Sequence, residues 1–251
     1  MPADSSDELF DADYLAFYRS DLNDETNDDE AETIAELLQI EPGLRILDLP
    51  CGHGRIARRL AQMGATVTGV DRSELFLEHA RKDAETHGAS VDYRSGDMRT
   101  ISFDGEFDVV LNWFTSFGYS DDDTLRTLLS RLHRALVPGG RLVIETMNLH
   151  KLNLRPYETS HTKELVDADG THFLIDRSQY DPHAGRLHVR RFITRSGQPT
   201  RTIPYELRLF TLPELTGWLK DAGFAYCQAF GSDCEVFDID SDRLIVIAQR
   251  D

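Results

Sequence analysis

Lysine and cysteine are scarce in this 251-residue sequence, and it has no long apolar run. The 44 acidic residues outnumber the 27 basic ones, only four of which are lysines, and the formal net charge is −17. Nucleic-acid binding depends on basic surface that neutralises phosphates, so this balance disfavours a nucleic-acid partner. No apolar run approaches the roughly 18 residues of a membrane span, so we expect no membrane partner either.

The three cysteines, Cys51, Cys227 and Cys234, do not form the spacing pattern of a disulfide framework. The N-terminal sequence MPADSSDELF is acidic and lacks the basic-then-apolar pattern of a secretory signal. Both observations favour a reducing compartment, and we expect a cytoplasmic protein. The hydrophobic content of 40% is enough for the core of one large domain or of a domain with an insert.

The stretch ILDLPCGHGRIARRL, residues 46–60, predicts a strand, a tight loop and a helix. Gly52 and Gly54 stand in that loop. We expect that something approaches the backbone there too closely for a Cβ atom. The helical spacing places Ala57 and Leu60 on one side of the helix, and Arg58 and Arg59 on the other.

From residue 44 onward, strand and helix patterns alternate, which is typical of a parallel sheet covered on both faces. Strands are predicted at 45–49, 65–71, 90–97, 107–113 and 141–146. The helix before the first strand is predicted to end at Pro42-Gly43, and Pro138 to Gly140 are predicted as a turn before the fifth strand. A helix after residue 211 and two last strands complete the pattern.

Residues 149–210 lack helical periodicity and predict an antiparallel β insert. The segments RLHVRRFIT and RTIPYELRLF alternate, and Pro204 confines its strand to an edge or a bulge. Four arginines in the insert are interpreted as the solvated face of a strand: Arg186, Arg190, Arg191 and Arg195.

Two ligand classes fit the glycine loop. The spacing Gly52-x-Gly54-x-x-Ala57, with Asp71 about 20 residues further on, matches a loose dinucleotide fingerprint. S-adenosylmethionine also has a ribose diol that Asp71 could bind, and it carries positive charge instead of phosphate. Asp48 at the end of the first strand favours the cationic ligand, because a carboxylate there disfavours a pyrophosphate.

Five motifs in order resemble the class I S-adenosylmethionine-dependent methyltransferases: LDLPCGHGR, VTGVDRS, SGDMR, FDVVLNWFTSFGY and LHRALVPGGRLVIE. The resemblance covers roughly residues 30–147 and resumes after 211. It implies a Rossmann-like, doubly wound α/β sheet of seven strands with an antiparallel last strand. It also divides the chain into an N-terminal helical lid (1–43), a cofactor-binding core (44–148), the β insert as substrate cover (149–210), and a C-terminal helix with two strands (211–251).

The resemblance implies S-adenosylmethionine as cofactor. Asp48 would orient its ammonium group, Asp71 would bind the ribose hydroxyls, and Asp97 would accept from the adenine amino group. Asn112 would lie near the methionine carboxylate or the methyl group. The full set of cofactor residues that it implies is Asp48, Cys51, Gly52, Gly54, Asp71, Arg72, Asp97, Met98 and Asn112.

The activity implied is in-line methyl transfer to a nitrogen or oxygen atom of a small molecule, with no metal because the cofactor is already activated. Aromatic residues can stabilise the sulfonium charge or cover the site, and these are the catalytic candidates: Tyr14, Tyr18, Trp113 and Tyr119. Tyr157, His161, His183 and His188 are candidates for acceptor contacts or bases, although a surface or packing role is the favoured interpretation of each. A homodimer is also an expectation. The alternatives are a non-catalytic binder, a non-methylating use of the cofactor, and an NAD-dependent oxidoreductase.

Overall fold

The computed structural model describes residues 6–152 and 159–251, and its strands form two separate sheets. The strands are β1 Arg45–Asp48, β2 Thr66–Asp71, β3 Val91–Ser95, β4 Phe107–Asn112, β5 Leu136–Met147, β6 Thr159–Asp167, β7 Gly170–Asp181, β8 Arg186–Thr194, β9 Arg201–Arg208, β10 Phe224–Phe230 and β11 Arg243–Arg250. The helices are α1 Ser6–Leu9, α2 Ala12–Tyr18, α3 Asp24–Leu38, α4 Ala57–Gln62, α5 Glu74–Thr86, α6 Asp122–Ala135 and α7 Leu212–Asp221.

The larger sheet has seven strands in the order β10-β11-β5-β4-β1-β2-β3. Its central strands are parallel, whereas β11 is antiparallel to both of its neighbours, β5 and β10. This arrangement confirms the predicted fold class, including the antiparallel last strand. The carboxyl ends of β1, β2 and β4 lie at the same edge, where parallel sheets of this kind bind ligands.

The central strands of the larger sheet are buried on both faces, as their near-continuous apolar sequences predict. In β1, Leu47 belongs to the apolar cluster that contains α6 and α7, and Ile46 belongs to the opposite cluster with α3 and α4. Both side chains are fully buried. The sheet edge is therefore a rigid platform for whatever the loops above it hold.

The smaller sheet is antiparallel, with its four strands in the order β6-β7-β8-β9. Pro204 lies in the edge strand β9, as its missing N–H requires. A third apolar cluster joins this sheet to α2: Phe17 packs against Leu174, Ile193 and Ile203. The second helix of the chain is thus fixed to the smaller sheet.

Two predicted boundaries are wrong. Helix α3 ends at Leu38, four residues before Pro42, with Gln39 in the left-handed region. Strand β5 begins at Leu136, directly after α6, because Leu136 pairs with Phe107 of β4 before the Pro138 to Gly140 segment. Strand pairing thus ends α6 earlier than the Pro-Gly punctuation suggested. At α3 a local cap does so, because the N–H of Gln39 donates to the Glu36 carbonyl and that of Ile40 to the Ala35 carbonyl.

The two arginines on the polar side of α4, Arg58 and Arg59, are buried. Arg59 pairs with Asp24 at 2.7 Å and with Asp28, and Arg58 pairs with Asp83 at 2.7 Å. The acidic start of α3 therefore neutralises the basic side of α4. None of the helices in residues 6–152 and 159–251 combines the length and the apolar character that a membrane crossing requires.

Candidate active site

A cavity of about 920 Å³ lies between the carboxyl edge of the larger sheet, the smaller sheet and α2. Most of the sequence-predicted site residues line it: Tyr14, Tyr18, Asp48, Cys51, Gly52, Asp71, Arg72, Asp97, Met98, Trp113 and Tyr119. The fold therefore brings most of the predicted cofactor residues and all four predicted catalytic candidates to one cavity.

The loop after β1 is tied to the end of β2 by two backbone donors. The N–H of Gly52 donates to Oδ2 of Asp71 at 2.9 Å, and the N–H of Cys51 donates to the Val70 carbonyl at 2.9 Å. Gly52 has a φ of +55°, and a Cβ atom there would meet nothing closer than Phe76 at 4.0 Å. The open side of Gly52 thus belongs to the cavity.

Gly54 and Asn112 are the two predicted cofactor residues that do not line the cavity within the described residues. A Cβ atom on Gly54 would lie 2.7 Å from Cβ of Ala80 and would also overlap the Tyr93 hydroxyl. Asn112 is fully buried and donates through Nδ2 to the Leu49 carbonyl at 2.7 Å. Gly54 therefore serves helix packing, and Asn112 supports the strand end that carries the loop.

The Asp48 carboxyl is buried at the end of β1 and faces the cavity. Burial raises the pKa of Asp48 to about 7, against the positive charge of Arg55 and the backbone N–H of Ala57. Burial also raises the pKa of Asp71, and the backbone donors of Ser73 and Gly52 limit this rise. Burial thus disfavours the ionised form of two carboxyl groups at one cavity wall. Such a pair indicates a cationic or hydroxylated ligand.

Asp97 has a partner that the sequence did not predict. Its oxygens accept from Nε of Arg99 at 2.9 and 3.0 Å, and this guanidinium holds the pKa of Asp97 below its usual range. Met98 follows at the same cavity wall, and its sulfur lies 4.0 Å from Nδ2 of Asn112. An adenine amino group at Asp97 would share this carboxylate with Arg99.

The segment after β4 leaves regular structure in a strained conformation. Phe114 and Thr115 both have left-handed φ values, 59° and 60°, which non-glycine residues rarely adopt. The N–H of Thr115 donates to Oε2 of buried Glu145 at 3.2 Å, which holds the turn in place. The turn keeps the Phe114 ring 38% exposed, at the cavity wall. Strain of this kind is concentrated at functional sites.

Four tyrosines face each other across the upper part of the cavity. The rings of Tyr14 and Tyr18 stack with centroids 4.5 Å apart, and those of Tyr119 and Tyr205 lie 6.0 Å apart. Burial raises the pKa of Tyr14 and of Tyr119, so both hydroxyls are protonated at neutral pH. These hydroxyls can donate a hydrogen bond to a ligand.

A buried ion pair in the smaller sheet completes this part of the cavity. Arg191 donates to Asp176 through Nε at 2.8 Å and Nη2 at 2.7 Å, and Nη2 also donates to the Tyr18 hydroxyl at 3.0 Å. Arg191 is only 3% exposed, so its interpretation as part of a solvated face is wrong. The alternation of residues in β8 places Arg191 on the same face as Val189 and Ile193. This pattern is the sequence signal that could have predicted its burial.

Of the four candidate acceptor contacts, His161 lines the cavity. His183 and His188 are exposed, and His188 pairs with Glu206 at 3.1 Å on the surface. Tyr157 lies outside the described residues. Within the described part of the chain, no group of three or more His, Cys, Asp or Glu side chains could hold a metal ion.

Residues 46–140 match the family model of the methyltransferase domain. The ubiquinone biosynthesis O-methyltransferase of Rhizobium leguminosarum bv. trifolii (strain WSM2304) is 39% identical over 107 residues, which are 42% of this chain and 41% of that protein. The chain thus spans about two fifths of the length of this curated relative.

Two solved structures share the fold over almost the whole chain. The CcbJ methyltransferase of Streptomyces caelestis has a TM-score of 0.74 and 24% identity, covering 90% of this chain and 95% of its own. CalS10 of Micromonospora echinaspora, an amino pentose methyltransferase solved with S-adenosylmethionine, has a TM-score of 0.69 and 23% identity, covering 97% and 98%. Residues 46–140 of the chain therefore match a methyltransferase domain, and almost the whole chain shares its fold with these two methyltransferase structures.

Proposed function

We propose that this protein transfers a methyl group from S-adenosylmethionine to a nitrogen or oxygen atom of a small molecule. The observation that carries the proposal is the continuity of the cavity. Carboxyl groups at strand ends line one part of it, a tyrosine cluster under the smaller sheet lines another, and both share about 920 Å³. A methyl donor and an acceptor must meet in one space, and this cavity is large enough and suitably lined to hold both.

The residues present fit S-adenosylmethionine. Asp71 uses one lone pair on each oxygen for the N–H groups of Gly52 and Ser73, which leaves further lone pairs for ribose hydroxyls. The Asp48 carboxylate suits an ammonium group, and the missing Cβ of Gly52 gives a ligand access to the loop backbone. A pyrophosphate at this wall would face both carboxylates, which opposes the dinucleotide alternative.

When bound, the cofactor supplies a methyl group on a positively charged sulfur. The chain's own residues have to hold the acceptor in line with that group and keep water out. The rings of Tyr14, Tyr18 and Tyr119 present aromatic faces and edges to the cavity, where they can stabilise positive charge. Trp113 lines the same cavity from the end of β4.

The tyrosines are hydrogen-bond donors in this mechanism and not bases. Burial raises the pKa of Tyr14 and of Tyr119 further above neutrality, so neither hydroxyl takes up the acceptor's proton. We propose that these two hydroxyls orient the acceptor atom. The acceptor atom then keeps a free lone pair with which to attack the methyl group.

Nitrogen and oxygen acceptors both have support among similar proteins. The Rhizobium relative is named an O-methyltransferase, and CalS10 is named an amino pentose methyltransferase. The acidic charge of the chain, −17, supports a small-molecule acceptor over nucleic acid. The homodimer, the cytoplasmic location and the four-part domain division remain predictions.

Two measurements test the proposal. Titration calorimetry with S-adenosylmethionine and with NADH separates it from the oxidoreductase alternative, and we expect heat of binding with S-adenosylmethionine only. Release of S-adenosylhomocysteine over a panel of amines, phenols and sugars then tests turnover. Binding with no methylated product from any acceptor would support a non-catalytic binder or a non-methylating use instead.

A further inference from the structure

Glu30 lies on α3 outside the cavity, yet it holds two residues that line it. Its Oε2 atom accepts from Nε1 of Trp113 at 2.6 Å and from Nη2 of Arg55 at 2.8 Å. Trp113 follows β4, and Arg55 belongs to the glycine loop after β1. One carboxylate oxygen therefore joins two parts of the cavity wall that are far apart in sequence.

Arg55 is fixed from three directions. Besides Glu30, Nη1 donates to Oδ1 of Asn27 at 2.9 Å, and the guanidinium carbon lies 4.8 Å from the centre of the Phe114 ring. The side chain is only 8% exposed. Asn27 is held in turn, because its Nδ2 donates to the Leu22 carbonyl at 2.9 Å. The direction of this cation is thus set by α3.

We infer that Glu30 is a positioning residue: it keeps the Arg55 guanidinium directed toward α3, so that the Asp48 carboxylate stays available to the ammonium group of the cofactor. The inference rests on the proposed function. Nothing in the sequence motifs marks Glu30, because it lies in an acidic run that reads as helix surface.

The charges around Asp48 explain why this direction matters. The groups that act on or face Asp48 are Arg55, Asp71, Cys51 and Tyr93. Arg55 is the cation among them, and it lowers the pKa of Asp48 against the effect of burial. If Glu30 lost its charge, Arg55 would turn its charge toward Asp48 and would compete there with a bound ammonium group.

Helix α3 offers a matched control for a purely structural role. Asp28 lies two residues before Glu30 and pairs with Arg59 of α4, which is not among the cavity residues of the described chain. Asp28→Asn thus weakens the attachment of α3 to the same loop-helix unit and leaves the contacts of the Arg55 side chain in place.

The experiment compares Glu30→Gln and Asp28→Asn with the wild-type chain by calorimetric titration of S-adenosylhomocysteine from pH 5.5 to 9. Glutamine keeps the shape of Glu30 and removes its charge. We expect Glu30→Gln to weaken binding at pH 8 by about tenfold or more, the scale of a charged hydrogen bond. We also expect the pH midpoint of binding to move lower, because a redirected Arg55 stabilises the ionised form of Asp48. Asp28→Asn should change neither quantity.

Tryptophan emission of the ligand-free proteins is a second readout. Trp113 and Trp218 are the two tryptophans of the sequence, and Trp113 is the one bonded to Glu30. We expect an emission shift in Glu30→Gln and none in Asp28→Asn. If Glu30→Gln does not fold, Arg55→Lys keeps the charge, removes the two-pronged contact, and should weaken binding in the same way.

The inference is overturned if Glu30→Gln binds like the wild type with an unmoved midpoint, or if Asp28→Asn produces the same losses. A wild-type chain that binds neither S-adenosylhomocysteine nor S-adenosylmethionine would overturn the proposed function, and this inference with it. Binding by the wild type with no effect of Glu30→Gln overturns the inference alone.

Discussion

The backbone N–H of Gly52 donates a 2.9 Å hydrogen bond to Oδ2 of Asp71. This bond joins the glycine loop after β1 to the last residue of β2, and the other carboxylate oxygen accepts from the N–H of Ser73 at 2.8 Å. Asp71 is therefore both a structural acceptor and a cavity residue. A substitution at Asp71 therefore affects both the stability of the fold and the binding of a ligand, and the two effects have to be measured separately.

Asp71→Ala should weaken the binding of S-adenosylhomocysteine by about 1–3 kcal/mol, the cost of removing one partner from buried polar groups. The same change leaves the N–H groups of Gly52 and Ser73 without their acceptor, so we also expect a lower Tm. Calorimetry and thermal melting measure the two effects separately. Asp92→Ala, at an exposed acid of β3, is the control. Unchanged affinity in Asp71→Ala would contradict a ribose contact.

The two glycines of the loop should respond differently to alanine. At Gly52 a methyl group has space on the cavity side, and the left-handed φ of +55° costs about 1–2 kcal/mol. At Gly54 the φ is +78°, and the methyl group also comes 2.7 Å from Ala80, so strain from overpacking adds about 1–3 kcal/mol. We expect Gly52→Ala to fold and lose cofactor affinity, and Gly54→Ala to lose mainly stability. A Gly52→Ala variant with wild-type affinity would show that no ligand approaches this backbone.

The parallel sheet and the carboxylates at its strand ends were predictable, because both follow from local patterns. Alternating strand and helix periods predict the sheet, and an acid after an apolar run predicts Asp48 and Asp71 at its edge. Gly54 shows the limit of that logic. A glycine in a tight loop signals a close approach, but the sequence does not say whether a ligand or Ala80 makes it.

The parts that could not be predicted depend on pairing between distant segments. Arg58 and Arg59 lie on the polar side of an amphipathic pattern, and their burial depends on the acids of α3 and on Asp83, which lie elsewhere in the sequence. The Arg191–Asp176 pair joins two strands whose register no local pattern determines. A charged residue that has a buried partner shows the same sequence spacing as one that is exposed to water. The local pattern therefore does not distinguish the two.

Asp48 should lower the stability of the ligand-free protein above neutral pH. Its folded pKa is raised from 3.8 to about 7, so the folded state binds more protons than the unfolded state between these values. The free energy of unfolding therefore falls as the pH rises through that window. Asp48→Asn removes the effect, and its Tm should exceed the wild-type Tm by a larger margin at pH 8 than at pH 4.5.

The same substitution should weaken cofactor binding, because an amide cannot neutralise an ammonium group. We expect wild-type affinity for S-adenosylhomocysteine to fall as the pH drops through about 7, and the affinity of Asp48→Asn to be weak at every pH. If Asp48→Asn raises the stability and removes binding, the effect of Asp48 on stability is separate from its role in binding the ammonium group. Equal pH profiles for the two proteins would exclude Asp48 from the ammonium site.

Asp13 fixes α2 to the smaller sheet through two arginines. Its Oδ1 atom pairs with Nε of Arg195 at 2.6 Å, and Oδ2 pairs with Nη1 of Arg201 at 2.6 Å. The Asp13 side chain is 13% exposed, so these pairs are less screened than ordinary surface pairs. Because Tyr14 follows Asp13 directly, this clamp also sets where that ring enters the cavity.

Asp13→Ala should let α2 open more often, since it removes two of the ion pairs that attach α2 to the smaller sheet. We expect amide hydrogen exchange across residues 12–18 to accelerate by about tenfold, the equivalent of about 1.4 kcal/mol of local opening, with the exchange of β1 and β4 unchanged. Salt at 1 M should reproduce part of the effect in the wild type. Glu25→Gln, at an exposed acid of α3, should not. Exchange in α2 that is insensitive both to Asp13→Ala and to salt would mean that the contacts of Phe17 and Tyr18, and not the clamp, hold this helix over the cavity.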